Sequence, residues 1–215
     1  MIVMRRLLSP LVGVGLALFV TGCGTASNND QGVSFTNLGF FSTDDEGVCE
    51  DRGIGGLAIP LGSAAGDGGI TNGFTCIGIQ NNLSGQFIRT DRAMISYFVA
   101  GASVQPPSTV VALTTVLGPG STGPDSTLPD GVKNPSQVIA GFNILPADIR
   151  TYISLNRADF PELPFTLIAT VTVSGITSAG DRLDSNESSI GIELTTDTPI
   201  DAGSGAAVEE PLLEE

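Results

Sequence analysis

The chain has 215 residues, with 23 acidic against nine basic side chains, a formal net charge of −14, no histidine and no tryptophan. So acidic a protein is a poor partner for nucleic acid, whose favourable counterion release needs clustered lysine and arginine. The missing histidine removes the commonest general base, and with it every Ser-His-Asp or Cys-His hydrolase. Hydrophobic residues still make up 41% and charged ones only 15%, enough apolar material for a packed core.

The first 22 residues read as a secretory leader: Arg5 and Arg6, an apolar run from Leu7 to Val20, and small residues at its end. Ser9, Pro10 and two glycines interrupt the run, which falls short of the about 20 apolar residues a membrane span needs. The closing residues Val20-Thr21-Gly22-Cys23 resemble the lipobox of bacterial lipoproteins. That resemblance implies cleavage before Cys23, a diacylglycerol thioether on its sulfur and an acyl chain such as palmitate on the new amino terminus. Two or three chains are what stable lipid anchoring requires. Gly24 after the cysteine, in place of aspartate, implies the outer membrane in a double-membraned bacterium and the outer face of the plasma membrane in a single-membraned one. Removing residues 1–22 leaves seven basic side chains against all 23 acidic ones.

Residues 23–32, small and polar, read as a flexible tether. From Val33 short runs alternate with a period of two between clusters of Gly, Pro, Asp and Asn, the pattern of strands. In chain order the expected strands are Val33 to Phe41, Phe74 to Gln80, the run of Ala93, Ile95, Tyr97 and Val99, the β-branched stretch Thr109 to Leu117, the run of Val138, Ala140, Phe142 and Ile144, then Phe165 to Ile176 and Ser189 to Thr195. The last two flank Ser178-Ala179-Gly180-Asp181 and read as a hairpin. One segment has helical spacing, Pro146 to Arg157, with Ile149, Tyr152, Ile153 and Asn156 on one side and Pro146 suited to a first helical position. Its Arg150 and Arg157 read as a solvated face.

Two stretches exceed ordinary connections: 42–75, glycine-rich and acidic, and Gly118 to Ser136, rich in Gly, Pro, Ser and Asp. Residues 196–215 are acidic and read as a disordered tail. The sandwich domain is thus expected over 33–195, with 42–75 an insertion. If Cys23 carries lipid in an oxidising envelope, Cys49 and Cys76 remain as an even pair, and a disulfide stapling the insertion is the expected reading, with two buried thiols or a metal site as the alternatives. Closing that loop is worth about 3.5 kcal/mol in the chain-entropy model.

About seven short strands with long end loops and one short helix indicate an all-β sandwich. Ala169-Thr170-Val171-Thr172-Val173-Ser174-Gly175, followed by Ala179-Gly180-Asp181 and Ser185-Asn186, is similar to the last hairpin of bacterial immunoglobulin-like modules, which implies an immunoglobulin-like or fibronectin type III-like sandwich.

For chemistry, no nucleophile elbow or phosphate-binding glycine pattern occurs, and Gly118-Pro119-Gly120-Ser121-Thr122-Gly123 lacks the lysine such a loop needs. A Ser-Lys dyad would have to use Lys133, which sits among turn residues. Paired carboxylates for glycoside hydrolysis lack the aromatic lining of a sugar cleft, because the only tyrosines, Tyr97 and Tyr152, fall inside expected elements. No enzyme is expected and no cofactor is required. One cation remains in play: calcium, which takes carboxylate and carbonyl oxygens, at Asp44, Asp45, Glu46, Glu50 and Asp51, or at Asp181, Asp184, Asn186 and Glu187. The expected role is a lipid-anchored, non-catalytic module binding a protein or glycan at the cell surface through the loop 42–75 or Gly118 to Ser136. The alternative is a structural accessory lipoprotein of an envelope assembly, which an exposed apolar patch would favour.

Overall fold

The computed structural model describes residues 33–44, 46–61, 73–120 and 135–196. The leader, the tether and all of the tail beyond Thr196 lie outside these residues. Two sheets pack face to face. The smaller has the order β2-β1-β4-β8, where β1 is Phe35–Thr43, β2 Cys49–Gly53, β4 Phe74–Asn81 and β8 Gln137–Asn143, and every pairing is antiparallel.

The larger sheet runs β3-β11-β9-β5-β6, with β3 at Gly56–Pro60, β5 at Ile88–Val99, β6 at Thr109–Ala112, β9 at Phe165–Thr177 and β11 at Ser188–Thr195. Two further strands extend this path: β7 (Val116–Leu117) continues the β6 position along β5, and β10 (Arg182–Asp184) continues the β11 position along β9. Only β3 is parallel to its neighbour, β11.

The long strands form because their alternation matches the pleat. Ala93, Ile95, Tyr97 and Val99 of β5 point inward with Leu167, Ala169, Val171 and Val173 of β9, all buried. Ile77 and Ile79 of β4 and Phe35 and Phe40 of β1 meet them from the smaller sheet. Each such side chain contributes roughly 1.5–3 kcal/mol by leaving water. Two polar pins tie the sheets together. The Tyr97 hydroxyl donates to the Ile144 carbonyl at 2.9 Å. Asn37 Nδ2 donates to the Val171 carbonyl at 3.3 Å, while the Asn37 carboxamide oxygen accepts from Gly39 N–H at 2.9 Å, holding a bulge at which Gly39 takes a φ of +101°.

Three expectations change. The β-branched stretch Thr109 to Leu117 is two strands, broken where Thr90, beside a bulge in β5, accepts from Thr115 N–H and donates to the Leu113 carbonyl. The stretch 42–75, expected as a loop, supplies two strands, β2 to one sheet and β3 to the other. The helix, α1, spans Ala147–Leu155, so Pro146 caps it instead of occupying its first turn. Ile149 and Ile153 bury into the core, and Phe160 just beyond packs edge-on to Tyr152 and stacks with Phe165.

Candidate functional site

Cys23 and the lipobox lie outside the described residues, as do Asp45 and Lys133. Cys49 and Cys76 form a disulfide. It joins β2 to β4, the two strands flanking β1, so it staples the acidic excursion to the middle of the smaller sheet.

Among the described residues neither acidic group is gathered into a cage. The Asp44 carboxylate accepts from Glu46 N–H at 3.0 Å and Val48 N–H at 2.7 Å, closing a turn, and Glu50 accepts from Ser42 Oγ at 2.7 Å. Glu46, Glu50 and Asp51 are exposed. In the second group the Asp184 carboxylate accepts from Ser174 Oγ, and Asp181 and Glu187 are exposed. Asn186 is fully engaged elsewhere: its side-chain oxygen accepts from Asn37 N–H at 2.8 Å and its Nδ2 donates to the Asn37 carbonyl at 3.1 Å. This two-way clasp joins the sheets beside one of the two candidate calcium positions. Among the described residues no group of three or more Cys, Asp or Glu side chains is placed to hold a metal ion.

The arginine pair of the helix is also corrected. Arg150 is buried. Arg157 lies 5.5 Å over the Phe165 ring and donates to the Phe160 and Pro161 carbonyls, so it locks the turn after α1. Burial, with a smaller contribution from the Asp148 carboxylate, pushes the Tyr97 hydroxyl well above the ordinary tyrosine value. That group stays protonated and serves as a pin between the sheets.

A cleft of about 300 Å³ opens where the excursion meets the smaller sheet, lined by Phe41, Ile54, Leu57 and Phe74 among other residues. None of its lining side chains is an acid or a base.

The outer face of the larger sheet is different in kind. Register places Phe98 of β5 opposite Ile168 of β9, and Met94 between Val110 of β6 and Thr172 of β9. These four apolar side chains remain 53%, 39%, 42% and 59% exposed for Phe98, Ile168, Met94 and Val110. At the other end of the same face, Arg89 and Arg182 flank Ile176 in one cross-strand row, and Arg92 lies opposite Ser174. Arg182 pairs with Asp91 at 3.4 Å, and Arg92 Nε is buried against the sheet with no hydrogen-bond partner. Three of the six described arginines thus share one face of a strongly acidic protein. Sequence reasoning passed over this face. The signal was there in the outward positions of two well-read strands, where Met94, Phe98 and Ile168 stand in place of polar residues. No protein-family model matches the chain, and no curated protein matches it.

Proposed function

We propose that this protein is a lipid-anchored, non-catalytic β-sandwich module of the bacterial cell envelope that binds another macromolecule through the outer face of its larger sheet. The observation that carries the reading is that face: four exposed apolar side chains in register beside three arginines. Solvated sheet faces carry polar residues, as the row of Ser96, Thr170 and Ser189 does between the two apolar rows here, and exposed apolar rows of this kind mark contact surfaces. A protein suits such a face better than a glycan, because no tryptophan or tyrosine is exposed on it for sugar stacking.

The same apolar face favours, as a second reading, a structural accessory lipoprotein packed within an envelope assembly. The lipobox residues support the anchor, and an outer-membrane address follows from Gly24 in a double-membraned organism. The non-catalytic reading rests on the sequence, which has no histidine and no nucleophile elbow. The immunoglobulin-like type is supported by strand order: β1-β4-β8 facing β11-β9-β5-β6 corresponds to strands A-B-E facing G-F-C-C′.

The test is twofold. Radiolabelled palmitate should enter the wild-type chain and not the Cys23→Ala form. Capture from detergent-solubilised native envelope should recover the wild type in a stoichiometric complex that Phe98→Ser/Ile168→Ser loses. Unlabelled wild type would refute the anchor, and a complex indifferent to the double substitution would refute the binding face.

A further inference from the structure

The proposed binding face and the chain's own carboxyl-terminal segment are complementary in both charge and hydropathy. Residues 197–215 carry Asp197, Asp201, Glu209, Glu210, Glu214 and Glu215 and no basic side chain. They also carry the apolar residues Ile200, Val208, Leu212 and Leu213. The outer face of the larger sheet offers the reverse arrangement: apolar Phe98 and Ile168 towards one end, Met94 and Val110 in the middle, and Arg89, Arg92 and Arg182 at the other end.

Order along the chain fits order along the face. Strand β11 ends at Thr195, beside Leu194, which is paired with Phe165 at the start of β9. The Phe98–Ile168 row is therefore the first apolar row met by a chain turning back over the face, and the arginine rows come last. At about 3.3 Å per residue, Ile200 lies roughly 16 Å of extended chain beyond Thr195, enough to reach the first row about 10 Å back along β9. Glu209 and Glu210 lie roughly 46–50 Å along, against about 36 Å from Phe165 to Ile176, so they reach the arginines with slack for a turn. Asp91, paired with Arg182, and Asp184, in the Arg92–Ser174 row, offset two of the three arginine charges and leave one in excess.

We propose that residues 197–215 fold back across the outer face of the larger sheet. In that arrangement Ile200 covers the Phe98–Ile168 row, and Glu209 and Glu210 pair with Arg89, Arg92 and Arg182. The segment then acts as an internal occupant that an external partner must displace. The inference uses the face assigned above as the binding surface but needs no partner, so the two can fail separately.

The absence of tryptophan supplies the test. Phe98→Trp introduces a single fluorophore on the face, in the whole chain and in a form ending at Thr196. Acrylamide quenching of the whole chain should be at least two-fold weaker than that of the shortened form. A synthetic peptide of residues 197–215 added to the shortened form should restore the protection. Arg89→Ser/Arg92→Ser/Arg182→Ser, or 1 M salt, where the screening length falls to about 3 Å, should abolish it. Amide chemical-shift differences between the whole and shortened chains, measured without the tryptophan, should concentrate on β5 and β9 and keep the test valid if that substitution perturbs folding. Equal quenching and unchanged shifts would overturn the proposal. So would protection that depends on protein concentration and not on the segment, which would mean a second copy on the face, or protection indifferent to arginine removal and salt.

Discussion

The outer faces of the two sheets are finished in opposite ways. On the smaller sheet the Phe41 ring lies across Gly78 and the Phe74 ring across Gly141, so closely that a Cβ on either glycine would collide with the ring. The Cys49–Cys76 disulfide covers the strand between them, and Cys76 is fully buried although it points away from the sandwich core. The larger sheet has no such cover among the described residues: Met94, Phe98, Val110 and Ile168 stand exposed beside three arginines. A sheet that lays its own aromatics and a covalent staple over its outer face, with Leu38 beside Gly78 still 43% exposed, uses much of that face for stability. The apolar rows left open on the larger sheet are the ground for proposing it as the contact face. The comparison therefore separates where substitutions should cost stability from where they should cost binding.

The largest effect should come from removing the staple. Cys49→Ser/Cys76→Ser is expected to lower unfolding stability by about 3 kcal/mol, read as a shift in urea midpoint, because it frees the excursion and buries a hydroxyl in the place of Cys76. Next come the glycines. Gly78→Ala should cost about 1–2 kcal/mol, since Phe41 must swing away from its seat. On the open sheet Gly191→Ala should change stability by no more than about 0.5 kcal/mol, because its Cβ would meet only Thr166 Cγ2, at 3.6 Å. Equal costs at the two glycines would break the contrast.

The pin between the sheets gives a smaller and pH-dependent effect. Tyr97→Phe leaves the Ile144 carbonyl unpaired and should cost about 1 kcal/mol at neutral pH. Because folding raises the hydroxyl pKa, the folded chain keeps a proton that the unfolded chain releases above about pH 10. The stability from this group is fully present below that pH and declines above it. Wild type should therefore lose stability more steeply than Tyr97→Phe between neutral pH and pH 11 in denaturant titrations, and parallel curves would remove the group from the account. Smallest in stability is Phe98→Ser/Ile168→Ser, at about 0.5 kcal/mol per site. It should nonetheless abolish partner recovery.

The long strands were legible because burial on one face only leaves a two-residue alternation, as in Ala93 to Val99 and Phe165 to Ile176. The disulfide was legible from the cysteine count together with the oxidising compartment that the leader's resemblance implies. Strands β2 and β3 were not, because Cys49-Glu50-Asp51-Arg52-Gly53 has no apolar face and Gly56–Pro60 is too short to show a period; both exist through pairing with strands already formed. The break between β6 and β7 was invisible because a side chain from another strand, Thr90, causes it. Asn186 was a candidate calcium ligand, and its clasp was not legible, since a carboxamide in a turn has the same sequence signature whether it meets a cation or the backbone of Asn37 across the sandwich. Arg150 and Arg157 were misread because helical spacing alone does not say which side of a short helix faces Phe160 and Phe165.

The most direct test of the contrast between the faces places a photo-crosslinking residue at Ser96, exposed on the larger sheet, or at Gln137, exposed on the smaller one, in the chain expressed in its native host. Adducts to the chain's own residues 197–215 are distinguishable by mass from adducts to another molecule. A defined partner adduct from position 96 and none from position 137 is the expected result; adducts from position 137 alone, or equally from both, would contradict the assignment of the open sheet as the contact face.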